Sequence, residues 1–283
     1  MTRTAISPRL ATSTFENTPY GCAVDTDRAI SGLRGSRFAH FEWVDECCST
    51  NAELAAAALR GEGDQVLGAE SQTAGRGRLG RVWQAPAGAS VLCSVLVRPD
   101  AVLGDGHLLT TALGVAAVEA CRSVAGVTPG LKWPNDLVVQ DRKLAGILAE
   151  SHVTDGRIDA VVIGIGINVN WPAELPEDLA SIAVSLNAVV GHDVDRTDLV
   201  VAMLIGFERW LELLAAPQGA GELRDAYVAH SATIGRRVRV ESPTGAEEGD
   251  AVGVETDGRL IVDFAAGRRS IAVGDVVHLR VVT

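Results

Sequence analysis

The chain has 283 residues, 47% of them hydrophobic and 22% charged, enough for one large core plus a smaller one and too apolar for wholesale disorder. Its formal charge of −11 argues against a nucleic-acid groove as the main business of the surface, because phosphate binding needs clustered Lys and Arg. Five cysteines, at 22, 47, 48, 93 and 121, form no C-x-x-C and have no zinc-finger histidines, so they read as reduced thiols of a reducing compartment.

Residues 1–35 are rich in Thr, Ser, Pro and Gly, with neither an apolar period nor a signal-peptide core, and read as a mobile arm. No stretch approaches the roughly 20 apolar residues that span a bilayer, so a soluble, cytoplasmic protein is expected. Thr50-Asn51-Ala52-Glu53 fits the reciprocal capping pattern T-x-x-E and predicts a helix from Asn51 into an alanine-rich run. Segments 66–70 and 90–98 are β-prone, which leaves the stretch between them as an inter-strand loop. Leu109, Ala112, Leu113, Ala116, Ala117 and Ala120 fall at three- and four-residue steps, the core face of a long helix ending near Gly126.

Segments 131–133, 137–140, 144–150 and 158–164 then read as strands, broken at Pro134-Asn135, Asp141-Arg142 and Asp155-Gly156. This hairpin punctuation predicts an α+β fold whose sheet is mixed and mainly antiparallel. A second amphipathic helix follows Thr197, and a shorter one covers 222–229. From Ile234 the texture changes to brief alternating strands at 238–241, 251–255, 260–264 and 270–282, which suggest a small β-barrel. The expected organisation is an arm at 1–35, a main domain at 36–232 and a barrel at 233–283.

The segment from Gln72 to Trp83, Q-T-A-G-R-G-R-L-G-R-V-W, matches G-x-G-x-x-G literally and even its kinase-like extension through Val82. Both readings fail on context. A dinucleotide fingerprint opens a helix, whereas Gly80 leads into Arg81-Val82-Trp83-Gln84-Ala85-Pro86, and the chain has neither H-R-D nor D-F-G. What remains is a loop in which glycines let backbone N–H groups approach an anion and Arg76, Arg78 and Arg81 supply charge-assisted hydrogen bonds. The plainer alternative is a solvated basic turn. Likewise Lys132-Trp133-Pro134-Asn135-Asp136 with Lys143 reads, taken singly, as a hairpin corner with a surface lysine on either side.

Taken together, Ser49-Thr50-Asn51, the 72–83 loop, Lys132 to Asp136, Lys143-Leu144-Ala145-Gly146-Ile147-Leu148 and Gly164-Ile165-Gly166-Ile167-Asn168-Val169-Asn170 resemble, in order and spacing, bacterial biotin protein ligases. The resemblance runs from about residue 41 to 280. It implies a class II synthetase-like catalytic domain with an SH3-like barrel, and ATP-dependent activation of biotin to biotinyl-5′-AMP followed by transfer to a lysine. It further assigns Ser49, Thr50, Asn51, Gln72, Arg76, Gly77, Arg78 and Lys143 to biotin, with Leu144, Gly146 and Ile147 as an apolar wall. Arg78, Arg81, Trp83, Lys132, Asn135 and Asn168 fall to the adenylate, Trp83 as an adenine platform or else as a plain core tryptophan.

Lys143 and Arg78 are the expected catalytic cations. Asp136 is the expected partner of the acceptor amine, or else an aspartate that merely closes its turn. Mg²⁺ would be held through ATP phosphates rather than by protein ligands. The implied acceptor is the biotin carboxyl carrier domain of an acyl-CoA or pyruvate carboxylase. About forty residues precede Phe41, too few for the winged helix of DNA-binding relatives, so a monofunctional ligase is expected. Leu79 stands where many relatives carry another arginine. A lipoate protein ligase shares the fold but not this loop; a non-catalytic biotin sensor would release no pyrophosphate. The sequence leaves the oligomeric state open.

Overall fold

A computed structural model describes residues 23–98, 106–155, 157–175, 177–242, 245–272 and 275–278. Residues 1–22 of the expected arm lie outside these. Residues 23–35 do not form an arm. Helix α1 (Thr26–Gly32) begins at Asp25, whose side chain accepts the Arg28 N–H, and it buries Ala29 one turn before Leu33. Only two apolar residues at one-turn spacing give it a face, too short a period to read in advance. Arg28 pairs with Asp195 at 2.6 Å, and the Asp25 N–H reaches the Thr197 hydroxyl at 2.9 Å.

Strand β1 (Phe41–Cys47), helix α2 (Thr50–Leu59) and β2 (Gln65–Gln72) form a strand-helix-strand unit whose two strands run parallel, an arrangement that needs a crossover connection. After β3 (Ser90–Val97) the long helix α3 (Gly106–Ala125) crosses to β4 (Gly130–Lys132), β5 (Asp136–Val139), β6 (Arg142–Thr154) and β7 (Arg157–Asn168). The sheet order is β1-β2-β3-β7-β6-β5-β4, and every pairing except β1 with β2 is antiparallel. This is the mixed, mainly antiparallel α+β fold expected. Strand β1 had no sequence signature because Glu42, Asp45 and Glu46 charge it, as befits an edge strand.

Short helices α4 (Glu177–Ala180) and α5 (Leu186–Val190) lead to α6 (Arg196–Leu214) and α7 (Gly219–His230). Helix α3 is long and apolar enough, by length and composition, to cross a bilayer, contrary to the sequence expectation. Its stripe Leu109, Ala112, Leu113, Ala116, Ala117 and Ala120 is nonetheless buried in the core shared with α6 and the sheet.

A second sheet follows, built from β8 (Arg237–Ser242), β9 (Gly245–Val254), β10 (Leu260–Phe264), β11 (Gly267–Ile271) and β12 (Asp275–His278) in the order β11-β10-β9-β8-β12, all antiparallel. Its inward residues Val238, Ala251, Leu260 and Val262 are fully buried. The indole N–H of Trp133 donates to the Gly258 carbonyl at 3.0 Å, so this small sheet grips the turn between β4 and β5.

Candidate active site

Helix α2 opens the site. Its N-cap, Ser49, is buried but makes no capping bond with its side chain, and the expected T-x-x-E box does not form. Gln72, at the end of β2, does the capping instead: its Oε1 accepts the Thr50 N–H at 2.8 Å. Thr50 is thereby released to face sideways, where its hydroxyl meets Ser94 Oγ at 2.6 Å. Ser94 Oγ donates to Asn51 Oδ1 at 2.6 Å, and Asn51 Nδ2 donates to the Leu148 carbonyl at 3.2 Å and to Glu150 Oε2 at 2.8 Å. Glu150 also receives Arg76 at 3.2 Å. A continuous polar chain therefore runs from Gln72 to the arginine loop.

The loop folds back on itself as a small hairpin. The Trp83 N–H donates to the Gly75 carbonyl at 2.9 Å and the Gly77 N–H to the Arg81 carbonyl at 2.7 Å, with Arg76 bridging Val82. The Gly77 N–H, expected to approach an anion, is thus engaged within the loop. At the tip Leu79 sits at φ 57° and is 74% exposed, a left-handed conformation costing about 1–2 kcal/mol for a branched side chain. Arg78 reaches Asn135 Oδ1 at 3.3 Å, and Asn135 Nδ2 donates to the Ile147 carbonyl at 2.6 Å.

Beneath the loop lies a floor without side chains. Gly146 of β6 faces Gly166 of β7 across the ladder, and the Trp83 ring lies on both. A Cβ at Gly166 would come within 2.4 Å of that ring, and one at Gly146 within 3.0 Å. Gly164 serves the polar chain in the same way, since a Cβ there would meet Asn51 Oδ1 at 2.1 Å. Trp83 is therefore no plain core residue: half-buried, it carries an indole N–H that is buried without an acceptor.

Strand alternation alone would put Lys143 and Gly146, three residues apart, on opposite faces of β6. A bulge prevents this. Leu137 pairs with Ala145 but Val138 pairs with Lys143, so Leu144 is the extra residue and Lys143 is swung to the glycine side. Its ammonium lies 2.8 Å from Asp136 Oδ1 and 5.3 Å from the Trp83 ring centre. An expectation is corrected here: Leu144, the extra residue, is buried in the core, and Ile147, which alternates with Gly146, points at α3 near Gly114, so neither walls the glycine floor beside Gly146.

The remaining expected residues sit around this floor. Lys132 ends β4 opposite Asp136. Asn168 ends β7, where its Nδ2 donates to the carbonyls of Lys143 at 3.2 Å and Val184 at 3.0 Å, holding the bulged strand from beneath. Arg81 lies exposed on the loop. Ser94, Glu150, Gly164 and Gly166 were not picked out as individual site residues. Ser94 is the polar residue in the middle of the otherwise apolar run that follows Ser90 in S-V-L-C-S-V-L-V, and G-x-G within a strand clears one face for a close neighbour; Glu150 carries no such signal.

Four described cysteines are free thiols. Burial pushes Cys93 and Cys121 up to about 12, and burial with nearby Glu53 pushes Cys47 up to about 11, so none of these three is an activated nucleophile. Cys22 lies outside the described residues.

Residues 57–168 match the Biotin/lipoate A/B protein ligase family, and residues 233–279 match the Biotin protein ligase C terminal domain. The chain is 39% identical over 260 residues to the biotin--[acetyl-CoA-carboxylase] ligase of Mycobacterium tuberculosis, covering 87% of this chain and 91% of that one. It is 35% identical to the bifunctional ligase/repressor BirA of Bacillus subtilis over 76% of this chain and 66% of that one. In structure it resembles the biotin protein ligase from Aquifex aeolicus in complex with biotin and ATP, with TM-score 0.75 and 28% identity over 86% of this chain and 100% of that one.

Proposed function

The chain belongs to the biotin protein ligase family, and on that footing we propose that it activates biotin with ATP and transfers it to a lysine of a carrier domain. The observation that carries this is the placement of Lys143 by the β6 bulge: a cation, its partner Asp136 and an open-floored tryptophan meet beside the Thr50–Asn51–Gln72 polar row.

In the first half-reaction the biotin carboxylate oxygen attacks the α-phosphorus of ATP; the new bond is the mixed anhydride of biotinyl-5′-AMP and pyrophosphate leaves. Two anions must meet, so the site has to neutralise their repulsion and align them. Arg76, Arg78, Lys132 and Lys143 are the groups for this. Thr50, Asn51 and Gln72, with buried Ser49, receive the ureido ring, and Gly146 lets the bicycle lie against backbone. Arg81, Trp83, Asn135 and Asn168 serve the adenylate end.

In the second half-reaction the acceptor amine attacks the acyl carbon, AMP departs, and the amine proton goes to Asp136 or solvent. Asp136 holds Lys143 in this structure, so its carboxylate orients one ammonium group and is placed to receive another. ATP enters as its Mg²⁺ complex, the ion held by phosphates; among the described residues no group of three His, Cys, Asp or Glu gathers to hold a metal. The acceptor is a biotin carboxyl carrier domain of an acyl-CoA or pyruvate carboxylase, and the reaction takes place in the cytoplasm. The acidic surface, at −11 overall, favours ligase chemistry without operator DNA binding.

The test is incubation with biotin, ATP, Mg²⁺ and a purified carrier domain, with mass spectrometry of the carrier. One biotinylated lysine with stoichiometric pyrophosphate is the expected result; labelling by lipoate instead, or no pyrophosphate, would overturn the reading.

A further inference from the structure

We infer that Glu150 is a positioning residue that sets the hydrogen-bond polarity of the ring-binding row through an Asn51–Ser94–Thr50 relay, so that this row presents acceptors to a ring bearing N–H donors. The inference rests on the proposed biotin chemistry and adds to it a residue and a direction of proton order.

The argument is an accounting of hydrogens. A carboxylate only accepts. Glu150 Oε2 lies 2.8 Å from the Asn51 amide and is paired with Arg76, so the amide must turn its NH₂ toward Glu150; the flipped amide would set oxygen against oxygen. The second amide hydrogen goes to the Leu148 carbonyl, which leaves Asn51 no spare donor. Its Oδ1 faces Ser94, 2.6 Å away, and only a donated Ser94 hydrogen makes that contact favourable. Ser94 has one hydrogen, now used, so the 2.6 Å contact between Ser94 and Thr50 requires Thr50 to donate.

Thr50 has a second acceptor in reach, Gln72 Oε1 at 3.3 Å, but its one hydrogen serves the shorter contact, and Gln72 Oε1 already has the Thr50 backbone N–H. The outcome is a row in which Thr50 Oγ1 and Asn51 Oδ1 keep lone pairs and offer no hydrogen. Such a row matches the two N–H groups of a ureido ring and gives nothing to a dithiolane. Ser94 is fully buried, and Asn51 Oδ1 sits in the niche left by the missing side chain of Gly164 with its amide tied to Leu148 and Glu150, so the order set at Glu150 reaches Thr50.

Titration calorimetry of biotin without ATP tests this on four proteins: wild type, Glu150→Gln, Ser94→Ala and the double variant, each checked by thermal melting. The substituted glutamine amide could donate or accept, so the relay loses its direction. Each single variant should bind biotin about tenfold more weakly, the worth of one well-made hydrogen bond, and the double variant no more weakly than either single. KM for MgATP should stay within about twofold, and lipoate should compete no better against the variants than against wild type. Ser94→Ala leaves the Arg76 pair intact, so agreement between the two singles separates the relay from the arginine. Unchanged biotin affinity in Glu150→Gln, or losses that multiply to about a hundredfold in the double variant, would overturn the relay alone; a wild type that binds no biotin would overturn the functional reading with it.

Discussion

The two ends of the site are built differently. At the α2 end, Ser49, Thr50, Asn51 and Ser94 are all buried and the polar chain is closed by specific partners. At the loop end, Leu79 and Val82 are 74% and 56% exposed, Leu79 holds a positive φ, and the Trp83 indole lacks an acceptor. The first end is already in binding geometry, so a ring entering it orders little and loses little affinity to reorganisation. The second is a low-stability segment of the kind from which closing loops are drawn. Recognition is stored in the fold, and protection of the reactive anhydride is supplied on binding.

This contrast predicts where substitutions act, and the largest effect belongs to the cation that the β6 bulge sets beside Asp136 and Trp83. Lys143→Ala should lower pyrophosphate release by about a hundred- to a thousandfold, some 2.7–4 kcal/mol of barrier, the scale of one lost oxyanion contact, with the melting curve intact. Near-normal release from a folded variant would remove Lys143 from the chemistry.

Gly164→Ala attacks the preorganised end alone. Its methyl would need the space of Asn51 Oδ1, 2.1 Å away, and overpacking of this sort costs about 1–3 kcal/mol. Biotin affinity should fall by ten- to a hundredfold while KM for ATP holds, as steady-state kinetics would show. Equal losses for both substrates would mean the two ends are one unit.

Arg78→Gly attacks the loop end alone. It removes the contact to Asn135 and adds backbone freedom, while Arg76, Lys132 and Lys143 remain to neutralise charge. Adenylate should form and then escape, so bystander proteins mixed with enzyme, biotin and ATP should acquire several-fold more label than with wild type. Equal bystander labelling by both proteins would assign retention elsewhere.

The smallest effect tests the strain itself. Leu79→Asn places at φ 57° a residue that tolerates the left-handed region, so stability should rise by about 0.5 kcal/mol with biotin affinity unchanged. A lower melting temperature would show that the exposed leucine makes contacts worth more than its strain.

Much of the fold was legible because long periods speak loudly. The stripes of α3 and α6 and the punctuation at Pro134-Asn135 and Asp141-Arg142 identified their elements, and Arg76 and Arg78 stood out by residue type among glycines, whereas Lys132 and Lys143 read singly as surface lysines and were marked only by the family resemblance. What escaped was decided by partners distant in sequence. Helix α1 exists because Thr197 and Asp195 receive it. The T-x-x-E pattern was a true helix signal with the wrong mechanism, since Gln72, 22 positions away, does the capping. Leu144 looked like a wall residue because a strand read by twos hides its bulge, whereas Ile147, next to Gly146, falls on the other face by alternation alone.

That bulge makes the length of this stretch as informative as its composition. With Leu144 as the single extra residue, Lys143 and Gly146 look the same way; with one more residue inserted between them, and the pairing otherwise kept, the lysine would register against a different partner and leave its place beside Asp136. Segment 143–146 should therefore tolerate change of composition better than added length: its buried positions admit exchanges of similar volume, whereas a single insertion shifts everything upstream of the glycine. Among variants that still ligate, sequence drift should be common here and lengthening absent.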